Sequence, residues 1–486
     1  MSTYLAFDLG AESGRAMLGT REAEGLRIEE LHRFPNAMVS LNGHLHWNSV
    51  QLFQEVKAGL RACAAKGATP VSAALDTWGV DFGLLDRDGE LLGLPYCYRD
   101  PRTTGLVEAF DPLVARERVY ELTGIQFMAI NTLYQLYSMV RSGSPALRVA
   151  RHLLMMPDLL HYFLTGRITA EFTIASTSQL YNPRAARWEP ELIAALDLPQ
   201  ELFPEIVPPT TPLGALLPDV AQEVGIQLPV VAAATHDTGS AVAAVPAQGK
   251  DWAYISSGTW SLLGIESDTP LISPQAQALN FTNEGGVGGT FRVLKNIMGL
   301  WLVQRCRRVW DPEGRTSYAD LTAAAETAKP FETLIYPDAP EFLNPPDMVA
   351  AISEFCMRTG QRPPATSAAF VRCILESLAL RYRAVLEELR QLSTQPINRL
   401  HIIGGGTQNR LLCQFAADAT GIPVLAGPVE ATAIGNLLTQ ALASGEIASV
   451  AELRQVVADS FPVTSYQPQG DPAWELAYTR FRELAP

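Results

Sequence analysis

The clearest pattern of apolar and polar residues lies between residues 230 and 247, which read VVAAATHDTGSAVAAVPA. The apolar run from Val230 to Ala234 predicts a buried strand. The polar segment Thr235–Gly239 predicts a turn, and the small residues after it are compatible with a helix. Asp237 would then lie near the positive end of the helix dipole, which favours its ionised form. At such a position Asp237 can be a general base, or it can be no more than the cap of the helix.

Two other segments share a single pattern, in which a small polar turn joins two apolar strands. The first covers residues 4–19 (YLAFDLGAESGRAMLG) and the second covers residues 253–266 (AYISSGTWSLLGIE). In the first hairpin Asp8 ends a strand, the glycine-containing turn at 10–14 can present backbone amides to a phosphate, and Arg15 adds a permanent positive charge. Because one hairpin opens each half of the chain, the pattern suggests a duplicated domain plan.

The rest of the chain contains further predicted helices and strands. Residues 86–89 predict a hairpin turn, and residues 98–102 predict a charged loop. In the first half the larger predicted elements are a helix at 50–65, a strand at 71–85 broken at 76–81, a mainly helical stretch at 115–167 and a proline-rich linker at 204–218. In the second half they are a loop at 280–286, a helix at 292–310 after a short strand, and an antiparallel helix pair at 350–358 and 367–392. A strand at 400–403 is followed by a helix from Asn409.

The segment at 76–81, DTWGVD, combines acidic, aromatic and glycine residues at the end of a strand. The Trp78 ring could stack on the C–H face of a sugar while the Asp81 carboxylate accepts from its hydroxyls. The alternative is a buried tryptophan beside a turn. Both interpretations stay open on this segment alone.

Two features of the second half are candidates for ligand contact. Asn296 and Gln304 are eight residues apart, so on a helix they would lie near one face and either reach a ligand or meet solvent. The triple glycine at 404–406 lies between a strand and a helix, where backbone can approach a nucleotide. It is a weak signal alone, because the sequence contains no G-x-x-x-x-G-K-[ST] motif and no complete G-x-G-x-x-G motif.

Composition excludes several classes of function. A chain of 486 residues is too long for one ordinary core, so two large domains are expected. The net charge of −14, without a basic tract, argues against nucleic acid and anionic membrane partners. The first ten residues do not resemble a signal peptide, and no apolar run approaches the roughly 20 residues that span a membrane.

The cysteines and one histidine pair have simple interpretations. The six cysteines are scattered without a CxxC pair, which favours a reducing cytoplasm and argues against a zinc site. Cys356 and Cys373 would come close if their two predicted helices pack antiparallel, and we expect both to be reduced thiols. His44 and His46 lack a nearby ligand partner and are interpreted as structural or surface residues.

Taken in order, the motifs resemble those of the FGGY family of carbohydrate kinases, within the actin–hexokinase–Hsp70 superfamily. The strand-end aspartates and the GGG turn are shared across that superfamily, whereas DTWGVDF, NTLYQL and KNIMGLWLVQR are similar to the rhamnulokinase branch in particular. The resemblance covers residues 7 to about 435, through the stretches FDLGAESGR, DTWGVDF, YRDPRTTGL, GIQF, NTLYQL, THDTGSAV, SSGTWSL, TNEGG, VLKNIMGLWLVQR, GGGTQN and GPVEA.

The resemblance implies an α/β fold of two RNase H-like domains, 1–246 and 247–486, with the active site in the cleft between them. It implies ATP-dependent phosphorylation of L-rhamnulose at O1, with Mg²⁺, in L-rhamnose catabolism. Asp237 matches the catalytic base of the family, and Asp8 matches its metal-associated acid. The other matches are nucleotide positions (Ala11, Glu12, Ser13, Gly14, Arg15, Thr259, Gln304 and Gly405) and sugar positions (Gly79, His236, Thr238 and Asn296, to which the DTWGVD segment adds Trp78 and Asp81).

Two alternatives remain beside this function. One is a kinase of the same family that acts on another ketose or polyol, such as xylulose or fuculose. The other is a non-enzymatic, chaperone-like ATPase of the superfamily, which would lack a sugar pocket. Glu12 is unusual in a phosphate loop, because a carboxylate repels a triphosphate. We expect its side chain to point away, so that only its backbone faces the nucleotide.

Overall fold

The computed structural model describes residues 1–23 and 25–485, which form two compact units. The first unit contains Met1–Gln248, Glu266–Val293 and Ala431–Ser460, and the second contains Gly249–Ile265, Leu294–Glu430 and the chain from Phe461. Two later segments thus return to the first unit, so no single cut of the chain separates the units. The predicted domains 1–246 and 247–486 stay a prediction.

The first half of the chain is a mixed α/β arrangement. Its strands are β1 (Ser2–Leu9), β2 (Ser13–Glu22), β3 (Gly25–Pro35), β4 (Met38–Leu41), β5 (His44–Trp47), β6 (Ala73–Thr77), β7 (Phe82–Leu85), β8 (His152–Met155), β9 (Ala170–Glu171), β10 (Tyr181–Asn182), β11 (Arg187–Trp188), β12 (Ile206–Val207), β13 (Thr211–Ala215) and β14 (Pro229–Ala232). Its helices are α1 (Ser49–Ala65), α2 (Leu106–Phe110), α3 (Arg116–Thr123), α4 (Thr132–Arg141), α5 (Pro145–Val149), α6 (Met156–Thr165), α7 (Phe172–Ala175), α8 (Pro190–Ala195), α9 (Pro218–Val224) and α10 (Asp237–Ala243).

The second half has the same mixed character. Its strands are β15 (Trp252–Ser257), β16 (Trp260–Ser267), β17 (Thr282–Gly285), β18 (Phe291–Met298), β19 (Arg399–Ile403), β20 (Val424–Ala426) and β21 (Thr464–Tyr466). Its helices are α11 (Pro274–Ala278), α12 (Trp301–Trp310), α13 (Tyr318–Glu326), α14 (Met348–Arg358), α15 (Ser367–Leu392), α16 (Arg410–Thr420), α17 (Ala431–Ala443), α18 (Val450–Ser460) and α19 (Ala473–Arg482).

The two large sheets repeat one plan. The first has the order β13-β14-β6-β1-β2-β3 and the second the order β17-β18-β16-β15-β19-β20-β21. In each sheet the first strand of a hairpin, β1 or β15, pairs antiparallel with the next strand and parallel with a later one, β6 or β19. The duplicated plan predicted from the two hairpins is therefore present in the structure.

The core of the first unit explains why its central strand carries large apolar residues. Leu5, Phe7 and Leu9 of β1 are buried in one cluster with side chains of α1 such as Val56. Burial of each such side chain contributes about 1.5–3 kcal/mol. Gly59 brings α1 close to the sheet, since a Cβ there would lie 2.6 Å from the Phe7 ring. This packing holds the carboxyl end of β1, where Asp8 lies, in a fixed position.

The predicted helix at 292–310 is wrong over its first half. Residues Phe291–Met298 form β18, and α12 begins only at Trp301. Gly299 separates the two elements, because a Cβ there would lie 2.6 Å from the Trp260 backbone. The alternative of a shared helical face for Asn296 and Gln304 is therefore excluded, since Asn296 lies on a strand.

Two other predicted segments also differ from the structure, whereas the break predicted at 76–81 is present. It divides the strand at 71–85 into β6 and β7, which belong to different sheets, and Val80 between them has φ +67°. The proline-rich linker contains β12 and β13, and the loop at 280–286 contains β17. The two helices predicted at 350–358 and 367–392 are present as α14 and α15, and their antiparallel pairing stays a prediction.

All six cysteines are free and buried in the structure. Burial raises the pKa of the Cys373 thiol well above its ordinary value, and the Cys356 thiol raises it further, so the two lie within electrostatic range. Their predicted approach to disulfide distance stays a prediction. The cytoplasmic location inferred from the cysteines stays a prediction. Within the described chain we find no helix with the length and apolar character needed to cross a membrane.

Candidate active site

Three aspartates meet at the carboxyl ends of neighbouring strands in the first unit. Asp8 and Asp76 are paired in register across the parallel strands β1 and β6. Asp237 begins α10, a few residues after β14, which is the next strand along the sheet. Because parallel strands end at one edge, the three carboxylates are brought within electrostatic range of each other, and Asp8 raises the pKa of both other aspartates.

Asp8 and Arg15 form an ion pair across the β1–β2 hairpin. Arg15 donates to Asp8 Oδ2 from Nε at 3.0 Å and from Nη2 at 2.8 Å. No donor among the described residues reaches the other oxygen, Oδ1. The arrangement ties the predicted phosphate residue Arg15 to the predicted metal residue Asp8, which sequence reasoning treated separately.

The turn between β1 and β2 is held by Asn36, which sequence reasoning missed. The Asn36 side chain donates to the Gly10 carbonyl at 2.9 Å, and its backbone N–H donates to the Glu12 carbonyl at 2.9 Å. Gly14 must lack a side chain, since a Cβ there would lie 2.3 Å from the Phe34 ring. Of the remaining predicted positions in this turn, Ala11 packs against the core and Ser13 is exposed.

Asp76 is a second residue that sequence reasoning did not assign to the site. It is fully buried, and its Oδ2 accepts a hydrogen bond of 2.6 Å from Asn436 on α17. Its Oδ1 has no partner. Burial, followed by the charge of Asp8, raises the pKa of Asp76 well above its ordinary value. Asp76 is therefore an acid whose charge is compensated only in part by the protein.

Asp237 is the first residue of α10, and His236 occupies the cap position. Asp237 Oδ1 accepts from the Thr238 backbone N–H at 2.5 Å and from the Thr238 hydroxyl at 3.1 Å. No described residue donates to Oδ2, and the side chain is 29% exposed. Desolvation raises the pKa of Asp237, and His236 partly opposes this increase. A partly exposed carboxylate with one free oxygen and increased proton affinity is suited to accept a proton.

The loop before Asp237 is fixed by Glu171, another residue that the sequence did not reveal. Glu171 Oε2 accepts from the Thr235 N–H at 3.1 Å and from the Thr235 hydroxyl at 2.7 Å. The same carboxylate accepts from the Thr173 N–H and hydroxyl, and that hydroxyl accepts from the His236 N–H at 3.1 Å. Glu171 and Thr173 therefore hold both residues that precede Asp237.

His236 and Gly79, both predicted sugar positions, lie side by side. A Cβ built on Gly79 would lie 3.4 Å from His236 Nε2. The structure thus places Gly79, His236, Asp237 and Thr238 in one group within the first unit. Asn296 belongs to the second unit, whereas the other predicted sugar residues belong to the first.

Trp78 and Asp81 form a buried cluster with Trp47. Asp81 Oδ2 accepts from both indole N–H groups, at 2.5 Å from Trp47 and 3.0 Å from Trp78, and from the Tyr98 N–H at 3.1 Å. Asp81 Oδ1 accepts from Gln135 at 2.7 Å. Asp81 is 0% exposed, so neither oxygen is open to a sugar hydroxyl. This geometry supports the alternative of a buried tryptophan beside a turn. In it, Asp81 holds the Trp78 ring in place by accepting its indole N–H.

We expect Asp81→Asn to destabilise the fold by about 1–3 kcal/mol, because the amide would set an N–H donor against groups that can only donate to it. Burial raises the pKa of Asp81 to about 6, so the folded state binds a proton more tightly than the unfolded chain. That contribution to stability is lost as the pH rises from about 4 to about 6. Thermal unfolding should show a lower Tm with Asp81→Asn, whereas Asp88→Asn in the exposed turn should match the wild type.

The second unit has a hairpin turn between β15 and β16 that is predicted to contact phosphate. The β15–β16 turn at Gly258 and Thr259 is anchored by backbone hydrogen bonds from Leu300 to Gly258 and from Trp301 to Thr259. The Thr259 side chain is partly exposed, and no described residue bonds to its hydroxyl. This hydroxyl is therefore available to a ligand.

The glycine turn after β19 lies beside that hairpin, because β19 and β15 are parallel neighbours. A Cβ on Gly406 would lie 2.0 Å from Ser257 Oγ, whereas a Cβ on Gly405 would meet nothing within 4 Å. Gly406 is thus required by packing, and Gly405 borders open space. Gln304, in the first turns of α12, has a buried Oε1 without a partner.

The comparisons with known proteins extend over nearly all of the chain. A family model described as the FGGY family of carbohydrate kinases, N-terminal domain, matches residues 3–244. The corresponding C-terminal domain matches residues 253–444. The chain is 51% identical over 480 residues to a rhamnulokinase of Bacteroides thetaiotaomicron, covering 99% of this chain and 98% of that one.

A second relative and a solved structure agree with this match. A rhamnulokinase of Pectobacterium carotovorum subsp. carotovorum is 46% identical over 487 residues, which cover 100% of this chain and 97% of the relative. The crystal structure of ligand-bound xylulose kinase from Lactobacillus acidophilus superposes with a TM-score of 0.81. It covers 100% of this chain and 97% of that chain at 15% identity, which indicates a shared fold.

Proposed function

Because the chain belongs to the FGGY family of carbohydrate kinases, we propose that it transfers the γ-phosphoryl group of ATP to O1 of L-rhamnulose. The observation that carries this proposal is 51% identity to a rhamnulokinase over 99% of the chain. The motifs DTWGVDF and KNIMGLWLVQR, which are similar to the same branch, support it.

Phosphoryl transfer needs positioning and charge stabilisation more than covalent chemistry. In the proposed reaction Asp237 Oδ2 accepts the proton of the O1 hydroxyl as that oxygen attacks the γ-phosphorus, and the bond from the γ-phosphorus to ADP breaks. Gly79, His236 and Thr238 contact the sugar, and Asn296 is proposed as a further contact. The free Oδ2 of Asp237 and its raised pKa support its role as the base.

The nucleotide is proposed to contact the turns at which hydrogen-bond donors or open space are available to a ligand. These are the 10–14 turn with Ala11, Glu12, Ser13 and Gly14, the Arg15 side chain, the Thr259 hydroxyl, the Gln304 amide and the Gly405 backbone. The unbonded hydroxyl of Thr259 and the open space at Gly405 support the assignment in the second unit.

Gly405→Ala and Gly406→Ala form a matched pair for the nucleotide assignment. Gly405→Ala should leave Tm unchanged and raise the KM for ATP roughly 10-fold, about 1.4 kcal/mol of binding free energy, because its methyl group enters the nucleotide space. Gly406→Ala should lower Tm, since its Cβ meets Ser257. Steady-state kinetics with calorimetry of both variants measures this, and an unchanged KM for ATP in folded Gly405→Ala contradicts the assignment.

We also propose Mg²⁺ as the metal that accompanies ATP, with Asp8 as its protein contact. Among the described residues, no three His, Cys, Asp or Glu side chains are arranged to hold a metal ion. This fits Mg²⁺, which uses one or two carboxylates together with substrate phosphates. Asp8 Oδ1 lacks a protein donor, and buried Asp76 Oδ1 is unpartnered, so oxygen ligands are present. When bound, the ion neutralises phosphate charge.

A coupled ADP-release assay against a panel of sugars tests the proposed substrate. L-rhamnulose should give the highest kcat/KM among L-rhamnulose, L-fuculose, D-xylulose and glycerol. A higher value for D-xylulose or L-fuculose would assign the chain to the alternative kinase function. ADP release that does not respond to any sugar would support the chaperone-like ATPase.

A further inference from the structure

Three charged groups contact the His236 ring, two of them at Nδ1 and one at Nε2. Its Nδ1 lies 2.9 Å from Arg292 Nη2 and 3.3 Å from Glu284 Oε2. Its Nε2 lies 3.4 Å from Asp237 Oδ1. The His236, Glu284 and Arg292 side chains are all buried, so water does not compete for these contacts.

The contact with Arg292 decides which ring nitrogen carries the proton. A guanidinium has only donors and keeps its charge at every relevant pH, so the nitrogen that it approaches at 2.9 Å must accept. A neutral imidazole that accepts at Nδ1 carries its proton at Nε2. We propose that Arg292 is a positioning residue that fixes His236 as the Nε2–H tautomer, with Nε2 on the side of the ring near Asp237.

Arg292 is itself held in place by one hydrogen bond and one ion pair. Its Nε donates to the Gly285 carbonyl at 2.7 Å, and its Nη2 lies 3.2 Å from Glu284 Oε2. Glu284 compensates the buried positive charge, and the Arg292 charge in turn lowers the pKa of Glu284. The ion pair therefore leaves the guanidinium little freedom to turn away from His236.

The consequence concerns the two oxygens of Asp237. Thr238 already donates twice to Oδ1, and His236 Nε2 lies 3.4 Å from the same oxygen. Oδ1 is thus the anchored oxygen, and Oδ2 is left as the acceptor for the substrate proton. Gly79 borders the same nitrogen, since a Cβ there would lie in ordinary contact with Nε2 at 3.4 Å. This last step rests on the proposed kinase function, whereas the tautomer does not.

The tautomer can be measured directly by ¹⁵N NMR of the full-length protein labelled at its seven histidines. His236→Gln identifies the His236 signals by their loss. We expect Nδ1 at the frequency of an unprotonated ring nitrogen and Nε2 at that of a protonated one. A protonated Nδ1, whether as the other tautomer or as imidazolium, would overturn the proposal without any assay of activity.

Arg292→Met tests the cause. Without the guanidinium, Glu284 becomes the nearest group to Nδ1 and should draw a proton onto that nitrogen. We expect the Nδ1 signal to move to the protonated range and kcat for L-rhamnulose to fall roughly 10–100-fold, by analogy with residues that orient metal-binding histidines. An unchanged Nδ1 signal in a folded Arg292→Met variant would contradict the role of Arg292.

Arg454→Met is the matched control, because Arg454 forms another largely buried ion pair, donating to Glu266 at 2.9 and 3.0 Å. It should lower stability and leave the His236 signals unchanged. If Arg292→Met does not fold, the wild-type spectrum alone decides the tautomer. Failure of the wild type to phosphorylate L-rhamnulose would overturn the proposed function but leave the tautomer assignment to the spectrum.

Discussion

Asp237→Asn is expected to lower kcat by roughly 10²–10⁴-fold, the usual range for loss of a general base. The amide keeps the shape of the carboxylate and its oxygen can still accept from Thr238, but it cannot take the proton of O1. The KM for the sugar should change much less, since most contacts in the ground state remain. Steady-state kinetics over a range of L-rhamnulose concentrations measures both constants.

Two controls separate this result from loss of structure. Tm should be almost unchanged, because asparagine is well accepted near the start of a helix. In the wild type, kcat should fall as the pH drops through the raised pKa of Asp237, since only the ionised form accepts a proton. That acidic limb should lie above the usual Asp pKa of about 3.9 and should be absent from the variant. Near wild-type kcat with unchanged Tm would leave Asp237 with a purely structural role.

The second large effect is expected from Glu171→Gln. Four of the donors around Glu171 are the N–H and hydroxyl groups of Thr173 and Thr235. A glutamine in its place would direct its NH₂ group at some of these donors, where the carboxylate had an acceptor oxygen. The cost in stability should be about 1–3 kcal/mol. The loop that carries His236 and Asp237 should shift as well, and a displacement of about 1 Å can lower kcat roughly 10²-fold.

Glu189→Gln is the control for this prediction. Glu189 is also a buried glutamate that caps a helix, and it accepts from Glu191 and Asn182 without contact to the catalytic loop. Both variants should unfold at lower temperature, but only Glu171→Gln should lose kcat when assayed well below its Tm. Equal kcat in the two variants would show that Glu171 serves the fold and not the site.

The sequence was informative where local pattern and chemistry coincide. The apolar run before Thr235 and the small residues after it predicted β14 and α10, and the two hairpins predicted the repeated sheet plan. The family predicted from the motifs is confirmed over both of its domains. These features depend on residues adjacent in the chain, which a single sequence displays directly.

Contacts between distant segments could not be read in this way. Glu171 reaches Thr235 across 64 positions of the chain, and Asn436 reaches Asp76 across 360. The sequence around Glu171 and Asn436 carries no local signal of these contacts. Glu171 caps the one-turn helix α7, and Asn436 lies in α17 among small apolar residues. The helix predicted at 292–310 was wrong for a related reason, since helical and strand patterns are hard to distinguish over a segment of eight residues of which seven are buried.

The most direct test of the central claim follows the γ-phosphoryl group itself. ATP, Mg²⁺ and L-rhamnulose are incubated with the wild type, with Asp237→Asn and without enzyme, and the products are identified by ³¹P and ¹³C NMR. We predict a phosphate ester on C1 of L-rhamnulose that forms in step with ADP and is almost absent with Asp237→Asn. Inorganic phosphate as the only phosphorus product beside ADP, or an ester on another carbon, would contradict the proposed function.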